Sequence, residues 1–171
     1  MKILVLNCGS STLKFQLIET VASDGGERKL ARGIVDRIGG GATYSFKAGG
    51  GALEEKTLPV ANHEVAVRLA IDWLREQPEC GSIDAVGHRV VHGEDRFVNS
   101  VLIDDDVIAA LEVLCEIAPL HNPGAVSGIR AARKILDDSI PMVAAFDTSF
   151  HHTIPERAAI YAIPYELSLK H

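Results

Sequence analysis

The run Val5-Leu6-Asn7-Cys8-Gly9-Ser10-Ser11-Thr12-Leu13-Lys14 ends an apolar segment on an asparagine, turns through a glycine and three hydroxyl side chains, and resumes at a lysine. That order suits a phosphate-binding hairpin. Gly9 lets the backbone turn tightly, the hydroxyls of Ser10, Ser11 and Thr12 and the free amide N–H groups face anionic oxygens, and Lys14 brings a positive charge. The same residue types also make an ordinary polar turn, for which glycine and serine are common local choices. A second candidate is Arg89, in the run Ile83-Asp84-Ala85-Val86-Gly87-His88-Arg89-Val90-Val91-His92-Gly93. Strand alternation places Gly87, Arg89 and Val91 on one face and His88, Val90 and His92 on the other. An arginine with glycine leaving space beside it can grip a carboxylate bidentately while the valine touches a short alkyl group. An arginine paired with a structural Asp or Glu is the competing reading. The third candidate is Asp147, which follows the apolar run Met142-Val143-Ala144-Ala145-Phe146. A carboxylate at the C-terminal tip of a buried strand stands where open α/β sheets place ligand-handling residues.

The elements that must position these residues are legible from periodicity. Residues 3–7 and 13–19 read as paired strands, with Ile3, Val5 and Asn7 on one face and Asn7 as the polar end of a buried row. Residues 20–28 read as a polar turn, 30–38 as a third strand, and 43–47 with 53–60 as a further hairpin between glycine runs. Those runs lack the G-x-G-x-x-G order followed by a helix, so they read as turns and not nucleotide loops. Asn62 caps a helix to about Gln77, with Trp73 in its apolar face. Residues 83–93 form the next strand, and Asp104 caps a helix through Glu116, which makes the Asp104-Asp105-Asp106 triplet a helix start rather than a metal site. Asn122 is read as the N-cap of a third helix with Pro123 at its first position, and Arg130, Arg133 and Lys134 as a solvated face. His88 and His92 would stand roughly 13 Å apart along a strand, too far for one ion, and read as hydrogen-bonded structural histidines.

Composition narrows the function classes. The chain has 171 residues, 47% of them hydrophobic and 23% charged, enough for one real core in one domain. Its net charge of -6 is spread along the sequence without a basic stripe, which excludes nucleic acid as a partner and makes any phosphate contact local. Cys8, Cys80 and Cys115 are odd in number and far apart, against both a disulfide framework and a zinc site. No stretch reaches membrane-spanning length and the N-terminal apolar run is too short for a signal peptide, so a cytoplasmic protein without a membrane partner is expected.

Four motifs in order, VLNCGSSTLK, GHRVVHG, PLHNP at 119–123 and FDTSFHHTIP at 146–155, resemble the acetate kinase family of short-chain acyl kinases. That family sits in the acetate and sugar kinase, Hsp70 and actin superfamily. One departure is Glu94-Asp95-Arg96-Phe97 after GHRVVHG, where the family pattern has a second glycine. The resemblance implies an α/β fold with a ribonuclease H-like mixed sheet and flanking helices, one of the two lobes of an actin-like ATPase. Residues 1–150 would be the N-terminal lobe and 151–171 a segment leading toward a second lobe. It implies transfer of a phosphoryl group between ATP and acetate, giving ADP and acetyl phosphate, with propionate or butyrate as alternative substrates. Carried over by position, Asn7 helps hold Mg2+, Ser10, Thr12 and Lys14 contact the phosphoryl groups of ATP/ADP, and Arg89 binds the carboxylate. Val91 and Leu120 line the methyl pocket, and Asp147 is the catalytic acidic residue. Relatives are homodimeric by the same resemblance. Motifs that the family places further along, including an adenosine-binding glycine run, have no counterpart before His171, so a lobe without activity of its own is the second expectation.

Overall fold

The computed structural model describes residues 1–20 and 26–168. Eight strands form one mixed sheet: β1 (Lys2–Cys8), β2 (Thr12–Thr20), β3 (Glu27–Asp36), β4 (Gly40–Ala48), β5 (Glu54–Val60), β6 (Ala85–Val90), β7 (Val101–Leu102) and β8 (Met142–Phe146), in the order β5-β4-β3-β2-β1-β6-β8-β7. β1 pairs parallel with β6 and β6 with β8, while the other neighbours are antiparallel. The helices are α1 (His63–Glu76), α2 (Asp105–Val113) and α3 (Asn122–Ile135), followed by a 3-10 turn at Thr148–His151 and two four-residue helices, α4 (Glu156–Ala159) and α5 (Tyr165–Ser168). Thr20 continues β2 and Glu27 opens β3; the middle of the expected polar turn, 21–25, lies outside the described residues, as do 169–171.

The strand order explains where the helices lie. From β1 to β6 to β8 the chain steps twice in the same direction between parallel neighbours. Right-handed crossovers then fall on the same face of the sheet. α1 makes the first crossover, and α2 and α3 make the second. The core is therefore one-sided, with Leu4, Leu6 and Cys8 of β1, Leu13, Phe15 and Leu17 of β2 and Val86, His88 and Val90 of β6 all buried. This corrects the expected face of β1. Leu4, Leu6 and Cys8 form the buried row, whereas Ile3, Val5 and Asn7 are only half-buried on the side that no long helix covers. The flanking helices expected on the sheet flank one side.

Local chemistry sets most element ends. The Asn62 side chain accepts the Val65 N–H at 3.0 Å and Asp104 accepts that of Val107 at 2.8 Å, so both capping expectations hold. Trp73 is core, packed on Phe15 and Phe46. Other expectations are corrected. β6 ends at Val90, because Val91 to Gly93 bend into a loop, and α2 ends at Val113 rather than Glu116. His121, not Asn122, occupies the α3 N-cap, and it makes no side-chain cap bond. Arg133 and Lys134 do not face water alone but reach Asp105 of α2 and Glu64 of α1, at 2.7 Å each. These exposed pairs orient the helices more than they stabilise them. His88 is buried but its Nε2 has no hydrogen-bond partner among the described residues, so it is not the fully bonded structural histidine expected.

Of the groups that couple this fold to pH, two carry large shifts on the acid side. The Glu54 carboxylate receives hydrogen bonds from Lys56 at 2.9 Å, Tyr44 at 2.8 Å and Trp73 at 2.8 Å, which hold its pKa down to about 2 from 4.5. Burial lowers His88 from 6.5 to about 4. Both shifts are downward, so in both cases the unfolded chain takes up the proton first and acid favours unfolding. Wild-type stability is expected to fall as pH drops from 6.5 to about 4 through His88, and again from 4.5 toward about 2 through Glu54. Denaturant midpoints measured across pH 7 to 2.5 should show the first slope vanish in His88→Asn and the second shrink in Glu54→Gln; unchanged slopes would show that neither group carries the coupling.

Candidate active site

Because β1, β6 and β8 run parallel, their C-terminal ends meet at one edge of the sheet, and this edge collects the three sequence candidates. Asn7 lies one residue before the end of β1, Arg89 one before the end of β6, and Asp147 directly after β8. The Arg89 guanidinium joins them. Its Nε donates to Asp147 Oδ1 at 2.9 Å, Nη2 to Oδ2 at 2.6 Å, and Nη1 to Asn7 Oδ1 at 3.2 Å. The Asp147 hydrogen bonds raise the arginine's pKa above its usual value. Arg89 is thus paired with an Asp, as the competing reading had it, yet the pair stands in the site. Its side chains are 48% and 41% exposed. Among the described residues, three of the five guanidinium N–H bonds are used.

A hollow of about 240 Å³ adjoins this cluster, lined by Asn7, Cys8, Gly9, Arg89, Val91, His121 and Ala125. Val91 is therefore beside Arg89. Leu120 is 73% exposed and is not part of the wall; its neighbour His121 is. Lys14 is the cross-strand partner of Asn7, exposed on the helix-free side, with Thr12 two residues before it and Ser10 exposed in the turn. In the hairpin the Gly9 N–H donates to the Thr12 carbonyl at 2.8 Å. No group of three or more His, Cys, Asp or Glu able to hold a metal occurs among the described residues. His92 lies in the loop after β6, its Nδ1 accepting the Glu94 N–H at 3.1 Å.

Several residues that hold the site escaped the sequence reading. His63, the first residue of α1, places Nε2 2.7 Å from the Gly9 carbonyl, a bond that requires the Nε2–H tautomer. Asn122 is fully buried and clamps the loop after β6, accepting the His92 N–H at 3.2 Å and donating to the His92 carbonyl at 2.9 Å. Thr148 accepts the Gly93 N–H at 3.0 Å, tying the same loop to the segment after Asp147. Gly124 and Gly128 bring α3 against the hairpin, Gly124 on its backbone and Gly128 on the Cys8 side chain. A Cβ on Gly124 would stand 2.6 Å from the Gly9 carbonyl oxygen, and one on Gly128 would collide with the Cys8 sulfur. The G-x-x-x-G spacing on an amphipathic helix was the available signal for this close approach. Burial pushes the Cys8 thiol up to about 12, so it is a packing atom and not a nucleophile.

Comparison with solved structures places this architecture among acyl kinases. Acetate kinase of Porphyromonas gingivalis superposes with a TM-score of 0.87 at 39% identity, over 99% of this chain and 43% of that one. A propionate kinase from Francisella tularensis subsp. tularensis SCHU S4 gives 0.86 at 41% identity, again over 99% and 43%. The sheet is thus part of an actin-like ATPase fold, as the motifs implied. In sequence, an acetate kinase of Chloroherpeton thalassium is 42% identical over 186 residues, covering 100% of this chain and 45% of the relative. Residues 2–171 match the model of the acetokinase family, and the chain belongs to that family. It spans less than half the length of the relatives it matches, and corresponds to their N-terminal part.

The contact between α3 and the hairpin generates a stability test. Gly128→Ala is expected to cost about 1–3 kcal/mol through overpacking against Cys8, measured by denaturant unfolding. Cys8→Ala in the same chain should return part of that loss, a positive coupling between the two positions. Gly50→Ala, where a Cβ meets open space, serves as the neutral reference. Additive costs at 8 and 128 would contradict the packing argument.

Proposed function

We propose that the chain forms the N-terminal lobe of an acetate kinase, which transfers a phosphoryl group reversibly between ATP and acetate. The observation that carries this reading is the Arg89 guanidinium, held by Asp147 and Asn7 beside a hollow that Val91 makes partly apolar. A short carboxylate matches both features, its oxygens on the arginine and its methyl on the valine. A hydroxyl substrate would need no such fork. The apolar wall rests on Val91 and Ala125 rather than on the exposed Leu120, and one methylene there is worth only about 1–3 kcal/mol. Propionate therefore stays within reach of the same site.

In this reading the acetate oxygen attacks the γ-phosphorus in line, forming the acyl phosphate bond as the bond to the ADP oxygen breaks. A carboxylic acid with a pKa near ~4–5 is already ionised at neutral pH. No proton has to leave it, and Asp147 need not act as a base. Its two oxygens fix the guanidinium plane, and Arg89 in turn orients the carboxylate for transfer. Lys14, Ser10, Thr12 and the hairpin N–H groups face the phosphoryl oxygens. Asn7 Oδ1 and the Asp147 carboxylate oxygens each already accept one Arg89 N–H, and their remaining lone pairs would offer one amide and one acidic oxygen to a Mg2+ ion that takes its other ligands from phosphates and water. Such an ion would neutralise phosphate charge when bound. Residues 151–168 carry exposed Ile154, Ile160, Tyr161 and Tyr165, which suits a connection toward a second lobe. The three free cysteines suit a reducing cytoplasm, and no described helix is long and apolar enough to cross a membrane.

Acetyl phosphate formation from ATP, Mg2+ and acetate tests the reading directly. The 171-residue chain is expected to turn over little, since its site is half-open to water, and a chain extended to the length of the relatives should be active. Comparable rates from both would overturn the single-lobe reading. In the active chain, Asp147→Asn should lower kcat about 100-fold by misplacing Arg89, and raising the pH should not restore it. Recovery at alkaline pH would instead identify Asp147 as a proton acceptor.

A further inference from the structure

The turn that follows β3 backs the hairpin of the site. β3 ends at Asp36, and Arg37 to Gly39 then carry the chain to β4 at the sheet edge where Ser10 and Ser11 lie. The Ile38 N–H donates to the Ser11 carbonyl at 2.9 Å. Strand register sets Asp36 directly opposite Thr12 on one side and Thr43 on the other. That row shares a face with Asn7 and Lys14, because Thr12 and Lys14 are two residues apart on β2 and Lys14 pairs with Asn7. Arg37 holds a left-handed backbone, with φ at 62°, a region that favours glycine and is strained for a long side chain. Strain of this kind is retained mostly where a site uses the residue that bears it. The Arg37 Nη2 donates to Thr43 Oγ1 at 2.7 Å, its Nε stands 4.0 Å from Asp36 Oδ2, and 66% of the side chain is exposed.

From this we propose that Arg37 is a further phosphate-binding residue, which leaves Thr43 and closes on the anion held by Ser10, Ser11 and Thr12. The inference rests on the phosphoryl-transfer reading, in which those hydroxyls face the phosphoryl oxygens. Two requirements lead to it. Directly opposed residues on antiparallel strands have Cβ atoms about 4.5–5.5 Å apart, so Asp36 stands a carboxylate beside any phosphate on Thr12. That repulsion calls for a cation next to Asp36, and Arg37 is its neighbour in sequence. Lys14 brings only a point charge, whereas a guanidinium presents paired donors to two oxygens of one phosphate. One strand spacing, about 4.8 Å, separates the turn from the hairpin, within the reach of an extended arginine. Thr43 suits the resting position. Its hydroxyl is a neutral acceptor that already contacts Thr57 Oγ1 at 3.2 Å, and a neutral acceptor holds a guanidinium more weakly than a phosphate does.

The test uses the 171-residue protein and inorganic tripolyphosphate at about 0.15 M salt, with affinity read from the amide shifts of Ser10 to Lys14. Arg37→Gly fits the left-handed backbone, so the melting temperature is not expected to fall, while tripolyphosphate should bind about 10-fold more weakly. Arg37→Lys keeps the charge without the fork and should regain only part of that loss. Arg68→Gln removes one exposed cation of α1 and should change the affinity by less than about 2-fold, since salt screens it. Lys14→Gln checks the underlying reading and should weaken binding by itself. If Lys14→Gln weakens binding but Arg37→Gly does not, or if Arg37→Gly costs no more than Arg68→Gln, Arg37 is a turn residue only and the proposal is overturned. If tripolyphosphate leaves the hairpin amides unmoved, or Lys14→Gln has no effect, the hairpin is not the phosphate site and the phosphoryl-transfer reading falls with the proposal.

Discussion

The approach of α3 to the β1–β2 hairpin is the constraint on which the site depends. Where Gly124 meets the Gly9 carbonyl and Gly128 meets Cys8, backbone lies on backbone or on a small thiol. Such a contact has no rotamer to adjust, so it fixes position more tightly than interdigitated side chains would. From the same helix Asn122 clamps the loop after β6 by both main-chain groups of His92. One helix therefore sets the distance between the hairpin that carries Asn7 and Lys14 and the loop that carries Val91. His63 secures the hairpin from α1, so the turn is held from two sides.

Against that rigid background, the Arg89–Asp147–Asn7 cluster does little for folding. Its ion pair is about half exposed, and pairs in that setting are screened and contribute little net stability. What the bidentate geometry provides is direction. An arginine whose plane is fixed along one edge offers N–H bonds at a defined angle, and a ligand carboxylate does not have to order it on arrival. The cluster takes its members from the C-terminal ends of three strands, with Asp147 directly after β8, so its geometry depends on how β1, β6 and β8 are paired.

Much of this was legible in the sequence, and the misses have physical causes. Strong apolar runs marked β1, β2, β6 and β8, and Asn62 and Asp104 marked the helix starts they cap. Alternation along β1 separated its two faces but could not say which one the helices would cover, and the wrong row was expected to be buried. The apolar Val91 extended the apparent strand past Val90, because an apolar residue in a buried loop looks like one in a strand. Asn122 resembles any N-cap asparagine until the loop it clamps is in place. β7 has two residues and so no period to detect. For the site, Asn7, Arg89 and Asp147 stood out as odd polar residues at the ends of apolar runs. His63 and Thr148 did not, since their contacts join residues 54 and 55 positions apart.

The one-sided sheet links fold to chemistry. Two successive parallel steps in one direction commit both crossovers to one face, and the period of the strand then assigns each residue a duty. In β1, Leu6 and Cys8 anchor the strand under the helices, and Asn7 between them projects to the other side. In β6, His88 and Val90 are buried, and Arg89 between them is not. The groups that could meet a ligand are therefore fastened by their immediate neighbours in sequence, without needing a shell of their own on the exposed side. A one-residue slip in either strand would exchange the two sets, burying the arginine and exposing the anchor. Packing on the helix side thus enforces the register that the site requires, and the half-exposed polar cluster can remain weak in energy while staying accurate in position.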